Sequence, residues 1–551
     1  MEKSGLLVLF LFHWNIYCKR QLRNKEAKRL NLITKRVHMN RCNGREVKQL
    51  TLDRDFNVPD ARPDALQIMK EQGEVQIEEV HMMEGKASVK GLLHFQILYA
   101  SDGDIPVSEM TGTIPFEETI LLPQAKAEDE ISVQAEIGDL KSELINSRKL
   151  GMKAIVVLNV TAGSVCDGEG AIDIEGGEDI YTKKRTAEVS YLIFSKKDTL
   201  RVRDEWKIPG TKDAMQRILY SDVCIGELNT RMEEEKLLVE GQANVFVIYL
   251  GEGENPSINY FENTLPIEGH IDCHGCNADM VEQVTASIHS RDLGVKEDED
   301  GEFRVLEVEV VFAFDMNVYK RQKVYGQEKI DLLTDFYSLK EKCKPVYEPS
   351  YFENLKIHNK SKCRFTGMVT AGEFAPLQIW NVSGSLFIDH KEQKEEGLLV
   401  RGALLVSVLY QTGDERVPLA TAKGTIPFEQ LLEANGLTNN SHINLHGMLE
   451  QVSASLTGEK EIEIKAVAAL DLLVFDRMEE PIVSGYESEE VDWDAFRSAP
   501  GMVGYVVQEK ETLWDIAKKF FTTVEAIMEV NQKETEQVQT GDMILILKEV
   551  S

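Results

Sequence analysis

Cysteine is scarce in this sequence, and the few cysteines form no dense framework. Eight occur among 551 residues, whereas small secreted domains place many close together because disulfides replace a large core. The spacing favours reduced thiols in a cytosolic compartment. The one tight pair is Cys273 and Cys276, with His270 and His274 beside it. A structural zinc site needs four ligands, and because no second pair follows, we expect a polar loop with two free thiols and no metal.

Positive charge is also in short supply. Lys and Arg number 62 against 93 Asp and Glu, which gives a formal net charge of −31. A nucleic-acid partner requires a basic face that binds phosphates, so the composition argues against one. The balance is uneven, because residues 1–50 carry +9 and leave −40 for the remainder. The basic start of the chain therefore differs in character from its acidic body.

The chain lacks an apolar run long enough to span a membrane. The run from Gly5 to Cys18 has 14 residues, short of the ~20 that a spanning helix needs. A secretory signal carries its positive charge before the apolar core, but here the basic cluster from Lys19 to Arg29 follows it. Three interpretations remain: a start codon placed too early, a weak anchor at a membrane surface, or a buried helix. We expect no stable membrane insertion.

Motifs of common enzymes are missing as well. The chain has no GxSxG, no HExxH and no phosphate-binding loop, the short patterns that mark serine hydrolases, zinc proteases and nucleotide-binding enzymes. We expect neither catalytic residues nor a cofactor.

What the sequence does contain is an internal repeat. Three segments share a Val-x-Gly motif, a Tyr eight residues after the Gly, and a Pro-apolar-Glu triplet 24 or 25 residues after it. Fixed offsets that recur at one period indicate a repeated domain. The three sets are Gly91, Tyr99 and Pro115, then Gly241, Tyr249 and Pro266, then Gly402, Tyr410 and Pro427.

Each repeated segment alternates apolar and mixed residues up to its Tyr, the period of a β-strand with one apolar face. A Gly inside such a strand marks a bulge or the close approach of another backbone. We expect the Tyr in the core, with its hydroxyl at the rim. Turn-rich segments, Val58 to Met69 and Ile208 to Leu219, precede the first two strands. We expect Asp64 and Asp213 to cap a short helix there.

The sequence therefore predicts a mainly β protein, in which three β-rich repeat domains are followed by a small α+β module. The expected divisions are an extension at 1–30, repeat domains at 31–185, 186–345 and 346–483, an acidic linker at 484–502, and the C-terminal module at 503–551.

In the C-terminal module, the sequence predicts a strand, two helices and a second strand, in this order. Thr512 and Asp515 are spaced as a capping box at the start of the first helix, and Thr522 and Glu525 repeat that spacing at the second. Apolar residues follow at helical spacing and face a core. The residues expected in this core are Leu513, Ile516, Ala517, Phe520, Ile527 and Ile544.

This module resembles the LysM family through Tyr-x-Val, Glu-Thr-Leu-Trp-x-Ile-Ala, Ile-x-x-x-Asn and Gly-Asp-x-x-x-Ile. The resemblance implies a βααβ fold that binds N-acetylglucosamine chains such as peptidoglycan, in a groove between the loop before the first helix and the loop after the second. The implied groove residues are Lys510, Glu511, Thr512, Leu513, Val530, Asn531 and Gln532. Gln532 stands where the family often has Pro, and the module holds five Lys against nine Asp and Glu. Both departures count against a glycan.

The repeats resemble the SPOCS domains of clostridial spore-coat morphogenetic proteins, through FNVPDARPDALQIM at 56–69, the Val-x-Gly strand that ends in Tyr, and IPFEE at 114–118. Three such units before one LysM module are the arrangement of SipL-like proteins. The resemblance implies a protein of the mother-cell cytoplasm at the forespore surface, whose LysM module binds the coat ATPase SpoIVA and tethers the coat basement layer. Family members begin near Leu32, which favours a misplaced start for residues 1–30.

We therefore expect a non-enzymatic scaffold of the spore coat. One alternative is an exported protein that binds peptidoglycan or N-acetylglucosamine in the cell wall or cortex, with Gly5 to Cys18 as its export signal. Another is an uncharacterised enzyme, and the cluster around Cys273 and Cys276 is the only feature that supports this hypothesis.

Trp514 is the groove residue that the sequence marks for a first test. Helical geometry sets it about 100° from Leu513 and about 160° from Ile516, away from the buried stripe. We expect Trp514→Ala to cost more than ~2 kcal/mol of partner binding with the module still folded. Ile516→Ala should instead cost about 2–5 kcal/mol of folding stability. Circular dichroism and a binding assay on both variants separate the two effects, and melting of the Trp514→Ala module would contradict the assignment.

Overall fold

In the computed structural model, residues 30–103, 105–176, 179–253, 256–320, 329–438, 440–489, 491–498 and 500–547 are described. The apolar run from Gly5 to Cys18 lies outside these residues, so its three interpretations stay open. The described chain is mainly β, with two short helices inside a small C-terminal module, and this confirms the predicted fold class.

Three units of six strands each make up the body of the protein. The first unit comprises β1 (Asn31–Asn57), β2 (Ala65–Met83), β3 (Lys86–Ser101), β4 (Val107–Leu121), β5 (Glu130–Asn146) and β6 (Lys149–Glu175), and β7 (Ile180–Glu188) follows it. The second comprises β8 (Tyr191–Lys207), β9 (Met215–Glu233), β10 (Lys236–Gly251), β11 (Ile258–Asp272), β12 (Val281–Lys296) and β13 (Val305–Lys320), and β14 (Lys329–Ser338) follows it. The third comprises β15 (Lys342–Thr370), β16 (Gln378–Lys394), β17 (Gly397–Gln411), β18 (Leu419–Glu433), β19 (Ser441–Leu456) and β20 (Glu461–Glu489).

Each unit stacks two antiparallel sheets of three strands. In the first unit the sheets have the orders β2-β3-β4 and β1-β6-β5, and the other two units repeat this topology strand for strand. The central strands of the first sheet, β3, β10 and β17, are the alternating segments found in the sequence. One face of each is buried because the second sheet of the same unit packs against it.

The backbone geometry explains why a Gly recurs at the same position in all three units. Beside each Gly, the β2–β3, β9–β10 or β16–β17 pairing contains a register shift. A Cβ atom at Gly91, Gly241 or Gly402 would lie only 2.6, 2.5 or 2.1 Å from a carbonyl oxygen of the neighbouring strand. The expectation of a bulge with a close backbone approach is confirmed, and any larger residue would push the two strands apart.

The repeated Tyr is more deeply placed than the sequence suggested. Tyr99, Tyr249 and Tyr410 are fully buried, so the expected position of the hydroxyl at the rim is wrong. Each hydroxyl donates to a backbone carbonyl 36 residues earlier in the chain, at 3.2, 3.3 and 3.1 Å. Those carbonyls belong to the turn before the second strand of the unit. The Tyr therefore ties this turn to the central strand.

The leading turns contain no helix, which corrects the expected capping role of two Asp residues. After the turn the chain enters β2 or β9 directly. Asp64 accepts hydrogen bonds from Ser147 Oγ at 2.7 Å and Arg148 Nη1 at 3.1 Å, and Asp213 accepts from Ser257. Pairing with β3 or β10 prevails over a local helix, because the ladder satisfies the backbone donors that a cap would have served.

A shared apolar centre holds the three units together. Each unit contributes the residue that precedes its Tyr, namely Leu98, Ile248 and Leu409, and all three are fully buried in one cluster. Beside it lies the buried Lys70 of the first unit, which donates to Ser407 Oγ of the third at 2.8 Å. Burial and the nearby Lys423 lower the pKa of Lys70, which Asp222 of the second unit partly offsets. Next to the apolar residues, the centre therefore contains one charged side chain, Lys70, that interacts with both of the other units.

A further element, which we call the stalk, adjoins this body. We define it as β7, β14 and the outer segments of β6 (169–175), β15 (342–353) and β20 (477–489). Strands β7 and β14 pair with each other, and apolar residues such as Phe336 and Val483 fill the space between the strands. The expected divisions at 185/186, 345/346 and 483/484 fall inside stalk strands, because this element is assembled from segments that are far apart in sequence.

The repeated Gly offers a direct test of the bulge. Gly402→Ala should destabilise the protein by about 1–3 kcal/mol or more, because its Cβ would meet the Phe387 carbonyl oxygen at 2.1 Å. Gly294→Ala is the matched control, a strand glycine whose added Cβ would have its nearest neighbour at 3.7 Å. Chemical denaturation of both variants gives the comparison. Equal stability of the two variants would show that the close approach carries no cost.

Candidate functional site

The C-terminal module holds the candidate binding groove. Helix α1 (Trp493–Ser498) precedes it, and the module itself consists of β21 (Met502–Val506), α2 (Leu513–Phe520), α3 (Val524–Val530) and β22 (Met543–Leu547). Strands β21 and β22 pair with each other. The predicted core is confirmed: five of the six expected residues are buried, and Phe520 packs against them half-buried.

The two helix starts differ in how well the sequence predicted them. At α2 the capping box is confirmed, since the Thr512 side chain accepts from Asp515 N while Asp515 accepts from Thr512 N. At α3 the cap is Thr523, not Thr522, and it accepts from Ala526 N. Thr522 is instead buried, and its carbonyl accepts a 3.0 Å hydrogen bond from Tyr337 of the stalk. The helix therefore begins one residue later than the sequence predicted.

In the first groove loop, most side chains serve the fold of the module. Glu511 accepts from the Tyr505 hydroxyl at 3.0 Å and from Gln508 N at 3.0 Å. Thr512 is the helix cap, and Leu513 is buried in the core. Lys510 is exposed, with φ at 64°, and its side chain has no hydrogen-bond or ionic partner among the described residues. Of the four, Lys510 is the side chain free to meet a ligand.

The second groove loop shows the same division of roles. The Asn531 amide donates to the carbonyls of Ile527 and Leu545 at 2.7 Å each and accepts from Leu545 N at 2.8 Å. It therefore binds α3 to β22. Val530 is half-buried, whereas Gln532 is exposed, with φ at 53°. Gln532 is thus the counterpart of Lys510 on this side. Among the described contacts, no hydrogen bond joins the two loops.

Trp514 points away from the core of its module, as the helical geometry requires, but the stalk covers it. Its Nε1–H donates to Asp335 Oδ2 at 2.8 Å, and its ring lies edge-on to Tyr337 with centroids 4.8 Å apart. Lys518, one turn along α2, forms an ion pair with Asp335 at 2.8 Å. Replacing Trp514 with Ala would therefore remove a contact within the chain, so that substitution reports on docking and on partner binding together.

The docking contact joins three parts of the chain. Tyr181 of β7 stacks on Tyr337 with ring centroids 5.4 Å apart, and Tyr337 reaches into the core of the LysM-like module. Burial and the nearby Glu525 raise the pKa of the Tyr337 hydroxyl, so it remains a neutral donor at physiological pH. Asp335 and the two tyrosines carried no signal in the sequence, because the stalk strands do not repeat and their partners are distant.

Residues 484–502 are more regular than the linker expected there. Strand β20 extends to Glu489, and α1 follows. The rings of Trp493 and Phe496 pack on Phe521 at centroid distances of 5.2 and 5.3 Å. The acidic composition suggested a solvated segment, but its aromatic residues Trp493 and Phe496 pack on Phe521 of the C-terminal module. The module is therefore held from two sides, by the stalk and by α1.

The outer face of the β21–β22 sheet is apolar and open. Every second residue of the two strands points outward, and apart from Gly504 the side chains there are large and exposed, from 36% for Leu545 to 78% for Met543. Contiguous apolar surface of this kind marks an interaction site. The exposed residues are Met502, Val506, Met543, Leu545 and Leu547.

The cysteine cluster that suggested a metal has a different structure. Cys273 and Cys276 are buried and joined by a disulfide, so the expectation of a polar loop with two free thiols is wrong. In the first unit the buried Leu122 and Ala125 hold the same turn through the same backbone hydrogen bonds. The cysteines thus occupy an apolar position beneath a turn. No cluster of three or more potential metal ligands occurs in the described part of the chain.

None of the helices within the described ranges has the length and apolar character that crossing a bilayer demands.

Asp335 provides a clean test of the docking contact. Asp335→Ala removes the acceptor of Trp514 and the ionic partner of Lys518, and hydrogen bonds to a charged group contribute about 1.5–3 kcal/mol each. We expect faster hydrogen exchange in α2 and α3 and easier proteolytic cleavage between residues 489 and 502. Asp331→Ala is the control, since this carboxylate on the same strand accepts from Thr186 and not from the C-terminal module. Equal exchange rates in the two variants would refute the role of Asp335.

Comparison with known proteins agrees with this architecture. The chain matches the family described as SipL, SPOCS domain, over residues 64–145, 214–296 and 377–457, and the LysM domain over residues 505–546. No curated protein and no solved structure matches it. Each SPOCS match begins one residue before the second strand of a unit and ends at the close of its fifth. The two domain types indicate a sporulation-related protein with a module of the kind that binds peptidoglycan or protein. The chain therefore carries three SPOCS domains of the SipL family followed by a C-terminal LysM domain.

Proposed function

We propose that this protein is a non-enzymatic scaffold of the spore coat, which tethers the coat basement layer to the forespore by protein binding through its LysM module. The proposed partner is a coat ATPase of the SpoIVA kind. The proposed location is the mother-cell cytoplasm at the forespore surface, where the growing coat and this partner meet.

The exposed apolar face of the LysM sheet is the observation that carries this proposal. Protein interfaces bury apolar anchors at their centre, where methionine and aromatic residues are enriched. Glycans present mainly hydroxyl and amide groups, which a face of Met and Leu side chains leaves without hydrogen-bond partners. Met543 and Leu545 therefore favour a protein surface as the occupant.

The charge of the module and its fixed placement support the same conclusion. Five Lys stand against nine Asp and Glu between residues 503 and 551, so a partner with a basic surface would be attracted. Docking on the stalk through Asp335 and Tyr337 gives the module one orientation relative to the three SPOCS domains. A tether that transmits position requires such a fixed orientation, because a flexible linker would not set the distance between its ends.

Binding of peptidoglycan is the second candidate. The exposed side chains of Lys510 and Gln532 favour it, since they occupy the two groove loops of a LysM domain. The enzymatic alternative is not supported by Cys273 and Cys276, whose sulfurs are bonded to each other.

Capture from a sporulating lysate on the full-length chain tests the proposal. We expect the wild-type chain to retain the coat ATPase, and Met543→Glu to reduce capture at least tenfold because a charge enters the apolar face. Leu121→Glu, at an exposed apolar position of the first SPOCS domain (68% exposed), should capture normally. Retention of the chain on purified peptidoglycan alone, unaffected by Met543→Glu but lost in a Lys510→Ala, Gln532→Ala variant, would establish the glycan function instead.

A further inference from the structure

The outer face of the LysM sheet has the shape and character to receive an apolar segment. Cross-strand pairing sets its outward residues in three rows, and the two outer rows consist of large apolar side chains. In the middle row Leu545 pairs with Gly504, where an added Cβ atom would meet nothing within 4 Å. The face is therefore a shallow saddle with a notch above Gly504. It is about 13 Å long, because strands rise about 3.3 Å per residue.

The first described residue of the chain lies near this domain. Leu30 is buried in the stalk, in the same apolar cluster as Phe336. Phe336 stands between Asp335 and Tyr337, the two stalk residues that bond to the LysM domain. Residues 1–29 therefore join the described chain at the part of the stalk that holds the LysM domain.

The sequence before Leu30 can reach and cover the sheet. The apolar run Gly5–Cys18 is too short to span a bilayer, and its side chains would meet water if nothing covered them. The basic segment Lys19–Arg29 links this run to Leu30. Its eleven residues extend to about 36 Å at most. That length exceeds the width of the LysM domain, since the 42 residues from 505 to 546 imply a radius of gyration of about 9 Å.

Charge favours the same placement. The basic segment holds six Lys and Arg and one Glu, whereas residues 503–551 hold five Lys and nine Asp and Glu. Glu509, after β21, and Glu534 and Glu536, before β22, are exposed and have no ionic partner among the described residues. Opposite charges within about 8–10 Å attract each other at physiological ionic strength. The basic segment is therefore drawn to the domain whose sheet is open.

We propose that the apolar run Gly5–Cys18 packs on the outer face of the β21–β22 sheet of the same chain and closes it. Its side chains cover the apolar rows and fill the notch above Gly504, so that two apolar surfaces leave water together. A protein partner of this face must then displace the run, and the N-terminal segment sets how readily the LysM domain binds. The closure itself is a property of the chain alone and does not depend on the proposed function.

Methionine oxidation by hydrogen peroxide measures whether the face is covered, because sulfoxide formation follows the exposure of the thioether. The reporters are Met502 and Met543 on the face, 57% and 78% exposed, and the control is Met368 of the third SPOCS domain, 54% exposed. Each lies in a tryptic peptide that contains no other methionine. In the purified full-length chain, we expect both reporters to be oxidised at about one fifth of the rate of Met368 or less.

Two full-length variants show whether the apolar run is the cause of the protection. Leu9→Asp combined with Phe10→Asp introduces charge into the run, and it should raise the oxidation rates of both reporters to that of Met368. Leu9→Ile combined with Phe10→Leu is the matched control, which keeps the run apolar and should keep the protection. Neither variant changes a residue of the SPOCS or LysM domains.

Protein concentration separates closure within one chain from association of two chains. The linker fixes the effective concentration of the run, so protection should persist on dilution of about a hundredfold. Protection that disappears on dilution would assign the face to a second copy and overturn the proposal. Reporters oxidised as fast as Met368 in the wild type would overturn it as well. So would a native chain from sporulating cells that lacks residues 5–18, because the occupant of the face would be missing.

Capture of the coat ATPase from a sporulating lysate distinguishes this inference from the proposed function. The Leu9→Asp, Phe10→Asp variant should capture about threefold more ATPase than the wild type, because its face is open without displacement of the run. If neither chain captures the ATPase, the proposed function fails, and the methionine rates still decide whether the face is closed. Equal capture by both chains would overturn the competition between the run and the partner.

Discussion

The contact on which this structure depends is the meeting of three equivalent strands at one apolar centre. Leu98, Ile248 and Leu409 lie at the same place in their units, one residue before the repeated Tyr. Each unit also has a core between its own two sheets, and residues of the other units help to bury Leu98, Ile248 and Leu409 on the other face of β3, β10 and β17. The three SPOCS domains are therefore one assembly, in which the burial of each depends on the other two.

The packing of the three units determines which buried polar groups find a partner. Lys70 is buried at the boundary of all three units, and Ser407 and Asp222 belong to the other two. A buried charge of this kind adds little net stability, but an incorrect neighbour would leave it unpaired. It therefore favours one relative arrangement of the units over others. Elsewhere in the assembly, the second sheets of the three units line a polar cavity.

The stalk connects the three SPOCS units to the LysM domain. Segments of the first and third units meet in it with β7 and β14, and β14 presents Asp335 and Tyr337 to the LysM domain. The LysM domain is consequently held on one side while its apolar sheet remains open on another. Separate surfaces for internal docking and for the proposed partner would allow the module to bind without leaving its place, as the proposed tether between two layers requires.

The sequence by itself determined the repeated strand, its bulge and the LysM fold, because each follows from local pattern. Alternation specifies a strand with one apolar face, and Gly is needed at 91, 241 and 402 since no Cβ fits against the next backbone. The capping box at Thr512 and the core around Ile516 were equally readable. Local rules failed where a distant partner decided the outcome. Strand pairing replaced a helix after Asp64, and Thr522, which the sequence marked as a cap, is buried with its carbonyl bonded to Tyr337.

Only the tertiary structure decided what the candidate residues can touch. The sequence marked eight positions of the LysM groove, but folding engaged Asn531 and Glu511 in bonds within the module and placed Trp514 against Asp335. It also joined Cys273 to Cys276 beneath a turn. The alternation of apolar and polar residues in the sequence indicates which face of a strand is buried. Which other strand buries it depends on the packing of whole sheets, and no local pattern encodes that choice.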